Sequence, residues 1–220
     1  MAKAVIIDFD FAAMNGAELL FDAARALFKK IDDIELDAPA EARYLQGNGY
    51  LEGISAYFQS IKTKKTPQKA AKELVAAFGD VVLKAIPSAI SSSFKTFVGE
   101  LNAKGVKVII MTRADVEQAK VAFADLLGDN VKLSQDSNLT YGASKWDVWR
   151  RVAAMNKVSP SATLAITGSG TGVKSALLAG MGSVAVMNSH VAYQDFGGAD
   201  EVVSALDKNA AKKVLAALRI

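Results

Sequence analysis

The sequence predicts a doubly wound α/β fold on a mostly parallel sheet, with an all-helical segment inserted after the first strand. Three observations lead there. Short apolar runs rich in β-branched residues recur along the chain, and the first, Val5-Ile6-Ile7, has apolar neighbours on both sides, as a strand buried on both faces requires. Stretches with helical spacing separate these runs, the alternation expected of parallel strands joined by crossover helices. Between the first run and the second, residues 40–61 and 67–86 carry helical spacing broken by glycines, and no strand pattern is visible.

Taken in order, the opening strand ends in Asp8, with Asp10 two residues on. Leu19, Leu20, Ala23, Ala24 and Leu27 then recur at helical spacing, predicting a helix over residues 16–30, and Asp37-Ala38-Pro39 breaks the pattern. The helical insertion closes near Pro87, dividing the chain into a core of residues 1–14 and 88–220 and a cap of residues 15–87. Phe94, Phe97, Val98 and Leu101 give a helix ended by Lys104-Gly105, and residues 106–112, VKVIIMT, give the second buried strand. A helix over 115–127 and a short third strand over 131–135 follow, then a polar loop and a helix over 145–156. TLAIT at 163–167 is the fourth strand, GSGTG its loop, 173–179 a helix, and SVAVM at 183–187 the fifth strand. From residue 199 the chain closes with an amphipathic helix.

Composition removes several chemistries. With no cysteine there are no disulfides, thiol nucleophiles or thiolate metal sites, and a single imidazole, His190, does not supply a histidine zinc site or a serine–histidine triad. No apolar run approaches the roughly 20 residues needed to span a bilayer. The chain enters its first strand without the pattern of a secretory leader, so a cytoplasmic location is expected. The net charge of +3 comes from interspersed residues, and the one dense basic patch, KTKK at 62–65, reads as a solvated loop rather than a nucleic-acid contact.

The chemistry concentrates at strand ends. Carboxyl ends of strands line the ligand crevice of an open parallel sheet, and side chains two apart on an extended segment point the same way. Asp8 and Asp10 could therefore converge on one metal ion or phosphoryl group. The GSGTG loop offers backbone N–H groups at a helix start. Its third glycine arrives one residue early for a dinucleotide fingerprint, and Val173 stands where a P-loop needs glycine, so neither motif is met.

In this order of elements the chain resembles the haloacid dehalogenase (HAD) superfamily, in the helical-cap branch of phosphatases and phosphoglucomutases. The likeness spans nearly the whole chain and rests on IIDFD, Thr112 at the end of VIIMT, Lys145, and ITGSGTGVKSALLAGM. It implies a HAD-like Rossmannoid core with a helical cap, and a phosphohydrolase acting on a small phosphorylated metabolite through an aspartyl phosphate. Asp8 would be the nucleophile and Asp10 the acid/base. Thr112 and Lys145 would bind the phosphoryl group with Ser169 beside them, and Asp8 and Asp10 would hold Mg²⁺. The partner expected is that metabolite, with no nucleic acid and no membrane; oligomeric state is left open.

The same comparison exposes departures. Thr167 and Gly168 stand where the family has metal-binding acids, leaving Asp8 and the Asp10 backbone carbonyl to hold the ion. Phe11 and Ala12 replace the family's Gly-Thr after the second aspartate. Asp136 or Asp195 could supply a substitute ligand. Three alternatives follow: a metal-free dehalogenase, disfavoured by Asp10 where that branch has tyrosine; a lysine Schiff base from Lys62, Lys64 or Lys65; and a catalytically inactive binding or assembly protein on the same scaffold. Magnesium dependence separates the last from an enzyme.

Overall fold

The computed structural model describes residues 3–45, 49–135, 145–187 and 192–220. Six parallel strands form one sheet in the order β3-β2-β1-β4-β5-β6. These are β1 (Ala4–Asp8), β2 (Lys107–Thr112), β3 (Val131–Gln135), β4 (Thr163–Thr167), β5 (Gly182–Val186) and β6 (Glu201–Val203). β1 lies at the centre with all five residues buried. Its side chains alternate between two cores as a period of two demands: Val5 and Ile7 face one, Ala4 and Ile6 the other.

Between β1 and β2 the described chain forms helices joined by short connections, and no strand. It runs α1 (Phe9–Ala12), α2 (Gly16–Asp32), α3 (Ala38–Tyr44), α4 (Tyr50–Ser60), α5 (Pro67–Ala89) and α6 (Ser92–Ala103). The remaining helices are α7 (Val116–Phe123), α8 (Lys145–Met155), α9 (Gly170–Leu178) and α10 (Lys208–Ala217). Val148, Trp149 and Val152 of α8 and Ala176 of α9 cover one face of the sheet. The larger core runs from the other face into the helical insertion, where Phe28 stacks on Tyr57 at 5.7 Å and meets Phe58 at 5.5 Å. Side-chain oxygens of Ser91, Asp115 and Asp207 accept from backbone N–H groups in the first turns of α6, α7 and α10 and so fix where those helices begin.

Two elements differ from expectation. α5 runs through Pro87 to Ala89 instead of stopping near the proline. Pro87 lies in the last turn, where it removes one donor, and buried Val82 and Ile86 hold that end against the core. β6 stands where only a helix was expected after residue 199. Three residues are too few to display a strand period, and the strand exists because β5 offers it an edge. The chain bends by 83° between α5 and α6, and no single helix among the described residues is long and apolar enough to cross a membrane.

Candidate active site

The parallel register sets the site. Asp8 ends β1 opposite Met111, so Thr112 and Arg113 emerge beside it from β2, and Ile7 pairs with Ile166, which brings Thr167 and Gly168 to the same edge from β4. Asp8, Asp10, Thr112 and Thr167 are all fully buried.

Asp10 sits in the single turn of α1, which rotates its carboxylate back towards β2. There Thr112 Oγ1 donates to Asp10 Oδ1 at 2.8 Å and the Arg113 backbone N–H donates to Oδ2 at 2.7 Å. The Arg113 side chain then folds over both acids. Its Nη1 lies 2.8 Å from Asp8 Oδ1 and 3.1 Å from Asp10 Oδ2, with only 6 % of the side chain exposed. The guanidinium also lies over the Phe11 ring, 4.6 Å from its centroid. Burial pushes the Asp10 carboxyl above the ordinary carboxylate range and Asp8 adds to this. Arg113 is the main opposing influence, followed by the hydrogen bonds from Thr112 and the Arg113 backbone.

Glycines fix α1 from several directions. A Cβ on Gly16 would come within 2.1 Å of the Asp10 carbonyl oxygen, and one on Gly168 within 1.8 Å of the Phe11 carbonyl oxygen. The cap closes over the same place: Phe78 of α5 meets Phe11 at 6.1 Å, and a Cβ on Gly79 would stand 3.2 Å from the Arg113 carbonyl oxygen.

The residues do not fit a magnesium ion. Among the described residues no third acid or imidazole joins Asp8 and Asp10. The Asp10 carbonyl expected as a ligand is held against Gly16, and position 168 has no space for an acid while Phe11 keeps its place. Magnesium demands six oxygen ligands near 2.0–2.1 Å, and an ion bridging these two carboxylates would meet Arg113 Nη1. Asp195 does not replace the missing ligand: its side chain is 73 % exposed, pairs with Lys174 at 3.5 Å and accepts from the Gly197 N–H. Asp136 and His190 lie outside the described residues.

The other expected groups are placed as follows. Thr112 meets Asp10 directly. Lys145 begins α8, and its side chain lies outside the described residues. Ser169 caps α9, its Oγ accepting from the Gly172 N–H at 3.0 Å, while the Gln194 side chain takes the Gly170 N–H at 2.8 Å. Two backbone donors of the GSGTG loop are thus satisfied within the chain. Thr167 Oγ1 has no hydrogen-bond partner among the described residues. Lys64 and Lys65 line a cleft of about 480 Å³ on the cap with Lys30, Lys69 and Glu73, and Lys65 pairs with Asp32 at 3.0 Å. Lys62, Lys64 and Lys65 are exposed, not the buried setting that makes a lysine nucleophilic.

Sequence reasoning missed Arg113. The available signal was an arginine directly after a strand-end threonine, in a chain whose first strand ends in two acids and whose positions 167 and 168 carry none.

No protein-family model matches the chain, and no curated protein matches it in sequence. Solved structures match 94–100 % of its length. A β-phosphoglucomutase from Clostridium difficile is 16 % identical with a TM-score of 0.72, covering 100 % of each chain. CbbY from Rhodobacter sphaeroides, determined in complex with phosphate, is 17 % identical with a TM-score of 0.71, over 94 % of this chain and 96 % of that one. A phosphonoacetaldehyde hydrolase-like protein from Oleispira antarctica is 19 % identical with a TM-score of 0.71, over 99 % and 94 %.

Proposed function

We propose that this chain, whose fold is that of the haloacid dehalogenase hydrolases with a helical cap, is a binding or assembly protein that does not carry out magnesium-dependent phosphoryl hydrolysis. The observation that supports this most is at position 168. The acid that would complete a metal site is absent, and the Phe11 carbonyl occupies the space its side chain would need. A carboxylate approaching a phosphate dianion needs positive charge to offset repulsion, and a metal ion commonly supplies several kcal/mol of that stabilisation, a rate factor on the order of 10³. The cation here is already bound to both acids. A small phosphorylated metabolite is the ligand class this reading carries, because a fold relative was determined with phosphate.

Phosphohydrolysis is the second reading, supported by the retained Asp8, Asp10 and Thr112. In it, Asp8 would attack phosphorus and Asp10 would protonate the departing oxygen, a role that its raised proton affinity suits. Hydrolysis of a generic phosphate ester by the wild type and Asp8→Asn, with and without magnesium, separates the two. The proposal expects equal background rates in all four conditions, and magnesium-stimulated turnover lost in Asp8→Asn would refute it.

A further inference from the structure

We propose that Arg113 is a resident cation of this site, bridging the Asp8 and Asp10 carboxylates and making the native state independent of metal. The inference deepens the non-hydrolytic reading of the same site and rests on its geometry. Nη1 carries two protons and lies within hydrogen-bond distance of an oxygen from each acid, 2.8 Å from Asp8 and 3.1 Å from Asp10. The backbone N–H of the same residue adds a third bond, to Asp10 Oδ2. One residue thereby ties the end of β2 to the end of β1 and to α1.

The environment suits a guanidinium better than a hydrated ion. Its Cζ lies over the Phe11 ring, 4.6 Å from the centroid, and guanidinium is more weakly hydrated than a compact cation, so it loses less on entering a dry site. The Arg113 carbonyl lies under Gly79 of the cap helix and its side chain under the residue that meets Phe78, so the same residue spans core and cap. Both acids are fully buried, and taking a hydrogen-bonded cation away from buried carboxylates is destabilising.

The test is thermal unfolding of the full chain with metal as the probe. Wild type should show the same melting temperature in EDTA and in 10 mM Mn²⁺, the first-row ion chosen because it accepts an oxygen-rich site. Arg113→Ala should melt roughly 10 °C lower. It should also gain about 3 °C on adding Mn²⁺, because the vacated site then binds a cation that the unfolded chain does not. Adding Asp8→Asn to Arg113→Ala should recover much of the loss and abolish the Mn²⁺ response, and this double variant remains measurable if the single one does not fold. A wild type stabilised by Mn²⁺ would overturn the proposal. So would an Arg113→Ala chain as stable as wild type, or a double variant no more stable than the single one. These readouts do not involve turnover: an active but metal-indifferent wild type would sink the non-hydrolytic reading and leave this one standing.

Discussion

Restoring the missing acid should fail, and the reason is steric before it is electrostatic. In Gly168→Ala the new Cβ would lie 1.8 Å from the Phe11 carbonyl oxygen, 2.6 Å from its carbonyl carbon and 3.3 Å from its Cβ. Ordinary contact lies above 3 Å, so the Phe11 peptide must retreat by roughly 1.5 Å. It has little freedom to do so, because the preceding carbonyl, of Asp10, is held against Gly16 and the Phe11 side chain is enclosed by Phe78 and Arg113. Overpacking of this kind costs up to about 3 kcal/mol when rotamer changes can absorb it, and here the obstacle is backbone, so ~3 kcal/mol is the working figure. For a chain of this size that is a fall in melting temperature of roughly 6–12 °C. Calorimetry and urea titration followed by tryptophan fluorescence would measure it for Gly168→Ala and Gly168→Asp, with magnesium titrated into the second. If Gly168→Ala unfolds within ~0.5 kcal/mol of wild type, a range typical of surface changes, or if Gly168→Asp gains magnesium-dependent phosphatase activity, the steric reasoning is wrong.

Two further outcomes follow from the same site. Because the folded chain raises the Asp10 proton affinity above its ordinary 3.8, the native state keeps a proton that the unfolded chain releases. That contribution is fully present below pH 3.8 and is lost as pH rises through the higher folded value. Asp10→Asn imitates the protonated acid, with its amide able to donate to Thr112 Oγ1. It should flatten this slope in urea midpoints measured from pH 4 to 7, and curves parallel to wild type would contradict the assignment. Thr167→Val keeps the side-chain shape and removes a buried hydroxyl that lacks a partner among the described residues. It should raise stability by about 1 kcal/mol, and an unchanged or lower urea midpoint would show that the hydroxyl is satisfied.

Much of the scaffold was legible because burial on both faces leaves an unmistakable mark. Val5-Ile6-Ile7, VKVIIMT and TLAIT are runs that water would not tolerate, and each became a strand of the central sheet. Asp8, Asp10 and Thr112 were legible because strand ends in a parallel sheet converge, and Thr112 does meet Asp10. β6 was not, since its existence depends on the edge of β5 and not on its own three residues. Nor was the course of α5 through Pro87, where tertiary contacts of Val82 and Ile86 outweigh one lost donor. The decisive gap was Arg113. Whether a long cationic side chain turns outward to solvent or inward to two acids depends on the three-dimensional space around it, here closed by Phe11 and the cap, and neither a motif nor a period encodes that space.

Phe11 touches both departures at once: its carbonyl fills the place of the absent acid, and its ring supports the arginine. This has a consequence for how the chain can change over generations. An acid introduced at 168 first meets the Phe11 backbone, and loss of the Arg113 side chain first takes a hydrogen-bonded cation from two buried carboxylates. Each single step towards a metal site therefore gives up several kcal/mol from a total stability of roughly 5–15 kcal/mol. Only coordinated replacement at positions 11, 113 and 168 avoids the intermediate losses, because effects at touching residues do not add independently. The present arrangement is therefore entrenched: accumulating single substitutions can refine it far more readily than they can undo it.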